Sequence, residues 1–262
     1  MKTIFAIFST ALSATLLSSA VFAASAPISP ASPRSTAAGF EAHLTSGGIH
    51  TDVGPFALAL GQNGGVYDSS AALAGENQIV PILPLNPTPS LFVNIADMKA
   101  HVYSTGIQLD SETTEGDAAA NAIAVALNLN PLPPGVVHPQ PFLQITANSV
   151  KAKASLGIVF PAATTAIATA DIHGLTIFGS ALGFSAVHYT GSAPPDTIVY
   201  DTPTVTITLN KRMEAGIISC SPGCTFRVTS LETVAVDIDL HKAVWNGKKV
   251  SGEIAIARAS AE

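Results

Sequence analysis

The chain has 262 residues, of which 47% are hydrophobic and 11% charged, with a formal net charge of −6. High apolar content with so little charge excludes an intrinsically disordered chain. No basic residue falls between Arg34 and Lys99, or from Ala100 to Val150. A nucleic-acid surface needs a cationic stripe to displace counterions, so nucleic acid is excluded as a partner.

The chain opens on Met1-Lys2-Thr3, continues as an uncharged run from Ile4 to Val21, and leaves it through Phe22-Ala23-Ala24-Ser25-Ala26. A cationic start, an apolar stretch and a small-residue exit make a secretory signal peptide over residues 1–23, read as a signal helix, with cleavage after Ala23 or Ala26. Ser and Thr interrupt the run, which only just reaches the roughly 20 apolar residues of a bilayer span. No second long apolar run follows, so no integral span is expected in the mature chain. Pro27, Pro30 and Pro33 make residues 24–34 an extended spacer. Residues 35–262 are expected to form a single large β domain, secreted and either extracellular or loosely associated with the cell surface.

Strand signals then recur. Phe40 to Leu44 alternates, as does Thr51-Asp52-Val53, and Ser90 to Tyr103 reads as one long period-2 segment. Asp117 to Asn128 is Ala-rich: propensity favours a helix, while the flanking alternation permits a strand of small side chains. Gln144 to Ala154 puts Lys151 and Lys153 on one face and Val150, Ala152 and Ala154 on the other. Thr204 to Leu209, Thr233 to Leu240 and Val250 to Arg258 alternate as well. Strict alternation with β-branched residues marks half-buried strands. Loop clusters at Gly61-Gln62-Asn63-Gly64-Gly65, Asn130 to Gly135 and Ser192 to Asp196 separate them, and Asn246-Gly247 is a hairpin signal. The expected class is all-β, a β-sandwich of mostly antiparallel strands. A loose recurrence of Ala-Asp or Ala-Asn, at Ala96-Asp97, Ala147-Asn148 and Ala170-Asp171, leaves an irregular β-solenoid as the alternative.

Two cysteines occur, Cys220 and Cys224, around the turn dipeptide Pro222-Gly223. In an exported chain they are expected to pair as a disulfide. The acidic stretch Asp110, Glu112, Glu115 and Asp117 supplies oxygen ligands and is the candidate calcium site, although its spacing is not that of an EF-hand. A solvated acidic segment is the other reading, and no other cofactor is expected. The histidines His43, His50, His101, His138, His173, His188 and His241 lack metal-ligand spacing, but His43 and His50 could meet across a hairpin. Gly183-Phe184-Ser185-Ala186-Val187 lacks the second Gly of a nucleophile elbow. No motif nominates a glycosidase carboxylate pair, and the lone Trp245 suits hairpin packing better than a sugar platform.

These strands resemble the choice-of-anchor P family of exported bacterial proteins. The correspondence runs through Ser35 to Asp68, then Ser149 to Gly183, which carries Ser-Val-Lys-Ala-Lys-Ala and Ile-Ala-Thr-Ala-Asp-Ile. It continues at Thr204 to Asn210, the strand near Val234, and Gly252 to Ala259. The resemblance implies a secreted or surface-displayed β domain without established enzymatic residues. Members often carry a variable C-terminal anchor, whereas this chain closes on Ser260-Ala261-Glu262, so release or non-covalent association is expected. The functional expectation is a non-enzymatic structural or adhesive protein with a surface polymer or protein as partner. The alternatives are a secreted hydrolase with an unrecognised site and a calcium- or glycan-binding module.

Overall fold

The structure, a computed structural model, describes residues 35–61, 66–82, 88–106, 111–130, 142–159, 163–179, 182–220, 224–245 and 248–262. The signal segment, the spacer and Asp110 lie outside these residues. Thirteen strands are described: β1 (Thr36–Ser46), β2 (Ile49–Phe56), β3 (Ala59–Leu60), β4 (Val66–Pro81), β5 (Thr88–Thr105), β6 (Ser111–Asn130), β7 (Leu143–Val159), β8 (Ala163–Gly179), β9 (Phe184–Ala193), β10 (Thr197–Asp201), β11 (Val205–Cys220), β12 (Cys224–Trp245) and β13 (Lys248–Ala261). No α-helix occurs among the described residues.

The strands form two antiparallel sheets. One is a simple meander in the order β4-β5-β6-β7-β8-β9; the other runs β10-β11-β12-β13-β1-β2, with β3 also on β1. Sequential antiparallel neighbours replace the solenoid alternative, whose coils would stack in parallel. β12 and β13 lie against β6, β7 and β8, and β1 lies against β5 and β6. Their facing side chains, among them Phe40, Ile95, Ile145, Ile172, Val236 and Ile256, are fully buried in one shared core.

The Ala-rich segment is strand, not helix. Ala118 and Ala120 point into the core on β6, where bulk would hold the sheets apart. A Cβ added at Gly116 would stand 2.5 Å from the Ser260 carbonyl oxygen on β13. The close approach of the two layers therefore selects small residues here, and tertiary context overrides helix propensity.

The expected unbroken alternation of Ser90 to Tyr103 is corrected. Ile95 and Met98 are both buried, so the pattern slips at Ala96. The slip is shared across the sheet: Gly75, Ala96, Ala122, Asn148 and Gly174 occupy one cross-strand row. Gly75, Ala122 and Gly174 have positive φ there. One extra residue in every strand switches which side chains face inward, a crease in the side-chain pattern that leaves the pairing in register. The Ala96-Asp97 and Ala147-Asn148 recurrence is thus the signature of this crease. The second sheet has a matching row, Asn210, Ala235, Ala257 and Gly39, and Gly39 packs directly on Met98.

Two hairpin expectations agree with the register. Trp245 is opposite Lys248 and Cys220 is opposite Cys224. The turn residues and the side chains of both cysteines and of Trp245 lie outside the described residues.

Candidate functional site

Beside the crease, the outer face of the six-stranded sheet carries a groove of about 540 Å³. Two cross-strand rows build it. One is Ser70, His101, Asp117, Lys153 and Thr169; the other is Ala72, Lys99, Ala119, Lys151 and Asp171. Period-2 alternation turns the intervening residues inward, so five strands each contribute two outward side chains. The floor is methyl groups of Ala72 and Ala119, and the walls carry mixed charge.

Lys99, Lys151 and Lys153 are every basic residue between Ser35 and Asn210, and all three line this groove. The sequence signal was the scarcity of Lys and Arg in this stretch. The convergence itself was invisible, because the lysines come from two strands of unknown pairing.

Most of the charged groups are held in pairs, some across strands and some along one strand. Lys153 Nζ lies 2.8 Å from Glu115 Oε2, and Ser155 Oγ donates to Glu115 Oε1 at 3.1 Å. The hydrogen bond to Glu115 raises the Lys153 pKa above its ordinary value. Burial raises that of Asp117, against the opposing charge of Lys153. Lys99 Nζ lies 3.5 Å from Asp97. Lys151 has no ion-pair partner among the described residues, and Asp171, opposite it in register, is 3.1 Å from His173 instead.

His101 sits between two carboxylates. Its Nε2 is 2.8 Å from Asp68 Oδ1 and its Nδ1 is 3.9 Å from Asp117 Oδ2. Ser70 is directly opposite His101 on β4, which puts a Ser, a His and an Asp in one groove. Both ring nitrogens, however, face carboxylates, so neither is aimed at the Ser70 hydroxyl as a general base must be.

The calcium candidates do not converge. Glu115 and Asp117 face outward on β6, while Glu112 is buried on the opposite face. The segment is strand rather than loop, and a period of two separates an even-numbered residue from odd-numbered ones. Asp110 lies outside the described residues. No group of three or more His, Cys, Asp or Glu suited to a metal occurs among the described residues.

The remaining expectations find local partners. His43 Nδ1 is 2.8 Å from Asp52 and Thr45 Oγ1 is 2.8 Å from His50 Nδ1. The two histidines share the β1–β2 hairpin, but each pairs with another residue. Ser185 is the second residue of β9, and His188 bonds Thr176 at 3.0 Å.

No protein-family model, curated protein or solved structure matches the chain.

A second polar lattice covers the outer face of the seven-stranded sheet. Arg258 contacts Glu41, lies 3.2 Å from Glu232 and donates to Glu253 at 2.5 Å. Lys211 Nζ is 2.9 Å from Asp237, which is 2% exposed. Burial and a hydrogen bond to Glu253 push the Asp237 pKa up to about 7. Burial acts to raise Glu253 too, but the bond to Asp237 and the charge of Arg258 prevail and hold it below the ordinary carboxylate value. Arg258 and Lys211 each bridge more than one carboxyl group on this lattice, which fits a structural role. No helix among the described residues is long and apolar enough to cross a membrane.

Proposed function

We propose that this is a secreted, non-enzymatic adhesive protein, a β-sandwich that engages an extracellular polymer through the groove on its six-stranded sheet. The concentration of Lys99, Lys151 and Lys153 in that groove carries the reading. A lysine-poor sheet with its cations gathered over a small-residue floor suits a ligand lying across several strands. Cross-strand ion pairs keep the walls in place without a reacting group. The export pattern of residues 1–26, the Cys220–Cys224 pairing and the resemblance to choice-of-anchor P proteins support the same direction.

The test is co-sedimentation of the purified protein with insoluble extracellular polysaccharides. Retention of the protein on at least one polymer is expected. Ala119→Arg fills the floor from an outward strand position and is expected to reduce retention at least tenfold with little change in melting temperature. Equal retention of the variant would overturn the reading.

A hydrolase is the second reading, favoured by Ser70, His101 and Asp117 sharing one groove. It predicts turnover of an ester or glycoside that Ser70→Ala or Asp117→Asn abolishes. The adhesive reading predicts no turnover by either the parent or the variants.

A further inference from the structure

We infer that the groove is selective for a glycan bearing a single carboxylate, an acidic sugar unit, with Lys151 as the group that recognises its charge. This rests on the reading of the groove as a ligand site and names the ligand's chemistry.

The charge inventory of the groove leads there. Lys153 is committed to Glu115, Lys99 to Asp97 and His101 to Asp68. Asp171, the register partner of Lys151, is hydrogen-bonded to His173 rather than to Lys151. Lys151 is thus the exposed ammonium lining the groove that makes no ion pair among the described residues. A carboxylate placed on it gains a charge-assisted hydrogen bond that no protein group already makes.

Two further features narrow the class. Asp117 and Asp171 line the same cavity and repel a dense polyanion, so one negative charge fits where a run of them does not. Ser70, Asp117 and Thr169 space hydrogen-bonding groups along one row, two strands apart in each step, which suits a chain of hydroxyl-bearing sugar units laid across the strands. Lys99 and Lys151 flank Ala119 in one row, two interstrand spacings or roughly 10 Å apart at the backbone. The alanine between them leaves room for a pyranose ring.

The experiment is an array of neutral oligosaccharides beside their uronic- and sialic-acid-bearing counterparts, followed by calorimetry. The calorimetry compares the best acidic oligosaccharide with its carboxyl-reduced form. The proteins are the parent, Lys151→Gln, and Lys249→Gln as a control on β13. At least tenfold tighter binding of the acidic form is expected, with that preference lost in Lys151→Gln and kept in Lys249→Gln. Equal binding of the carboxyl-reduced form, or an unchanged preference in Lys151→Gln, overturns the inference and leaves the groove reading standing. Binding of neither form by the parent overturns both.

Discussion

Asn210 on β11 donates from Nδ2 to the carbonyl oxygen of Ala193, at the end of β9, over 2.8 Å. That bond joins the last strand of the six-stranded sheet to the second strand of the other. It is buried, and Asn210 Oδ1 also accepts from Thr233 Oγ1 at 2.7 Å. Asn210 has a φ of 50°, a conformation Asn adopts more readily than other residues with a Cβ. One side chain thus fixes both the crease of its own sheet and the corner where the chain changes sheets.

Asn210→Ala is therefore expected to destabilise the protein by about 2–4 kcal/mol, because it strands two buried polar partners and adds left-handed strain. Asn210→Gly keeps the backbone freedom but loses the bonds, and is expected to cost less. Urea unfolding of the two variants against the parent checks the order.

Gly116→Val tests the close approach of the layers. Its Cβ would meet the Ser260 carbonyl oxygen at 2.5 Å, a backbone atom that cannot swing away. Overpacking of this kind costs about 1–3 kcal/mol or more. Ala119→Val on the outward side of the same strand is expected to change the melting temperature little.

The Asp237 carboxyl makes stability depend on pH in a definite direction. It keeps its proton in the folded protein up to about pH 7, whereas an unfolded Asp releases it near about 3.9. Between those values the native state binds more protons, so stability falls as pH rises and levels off above about 7. Glu232, also raised mainly by burial, adds to the trend. Glu253, held low, contributes stability lost only under more acidic conditions. The melting temperature is expected to be higher at pH 5 than at pH 8, by an amount equivalent to roughly 2–4 kcal/mol. Asp237→Asn is expected to flatten the profile by removing the titrating group, while Lys211, Arg258, Glu41 and Asp239 remain around it. A parent profile rising from pH 5 to 8 would contradict the assignment.

Cys220 and Cys224 are direct register partners on β11 and β12. Such partners bring Cα atoms to about 4.5–5.5 Å, inside the range a disulfide spans. The intact mass of the exported protein, measured without reductant, is expected to lack the two thiol hydrogens. Because the loop is short, reduction is expected to lower the melting temperature only slightly.

Much of the fold was legible because one face of each strand is buried and the other wet. Gln144 to Ala154 showed this directly, with Lys151 and Lys153 outward and Val150, Ala152 and Ala154 inward, as found. Asn246-Gly247 announced its hairpin through turn chemistry. The crease was not legible, because a single extra residue at Ala96 or Ala122 leaves no local mark beyond a small side chain. It showed only as a recurrence without a period. The acidic stretch misled because Glu112, Glu115 and Asp117 are close in sequence, while the strand divides them between two faces. The groove escaped for the opposite reason: Ser70, Lys99, Asp117, Lys151 and Thr169 are far apart in sequence and meet only through five-strand register.

Amine footprinting reads directly whether the lysine-lined groove holds the ligand. The protein would be acetylated with and without a bound polysaccharide, and each lysine quantified by mass spectrometry. Lys99 and Lys151 are expected to lose most of their reactivity when polymer is bound, while Lys242 and Lys249 on the other sheet keep theirs. Unchanged labelling of Lys99 and Lys151, with protection of Lys242 and Lys249 instead, would put the ligand on the seven-stranded sheet and rule the groove out.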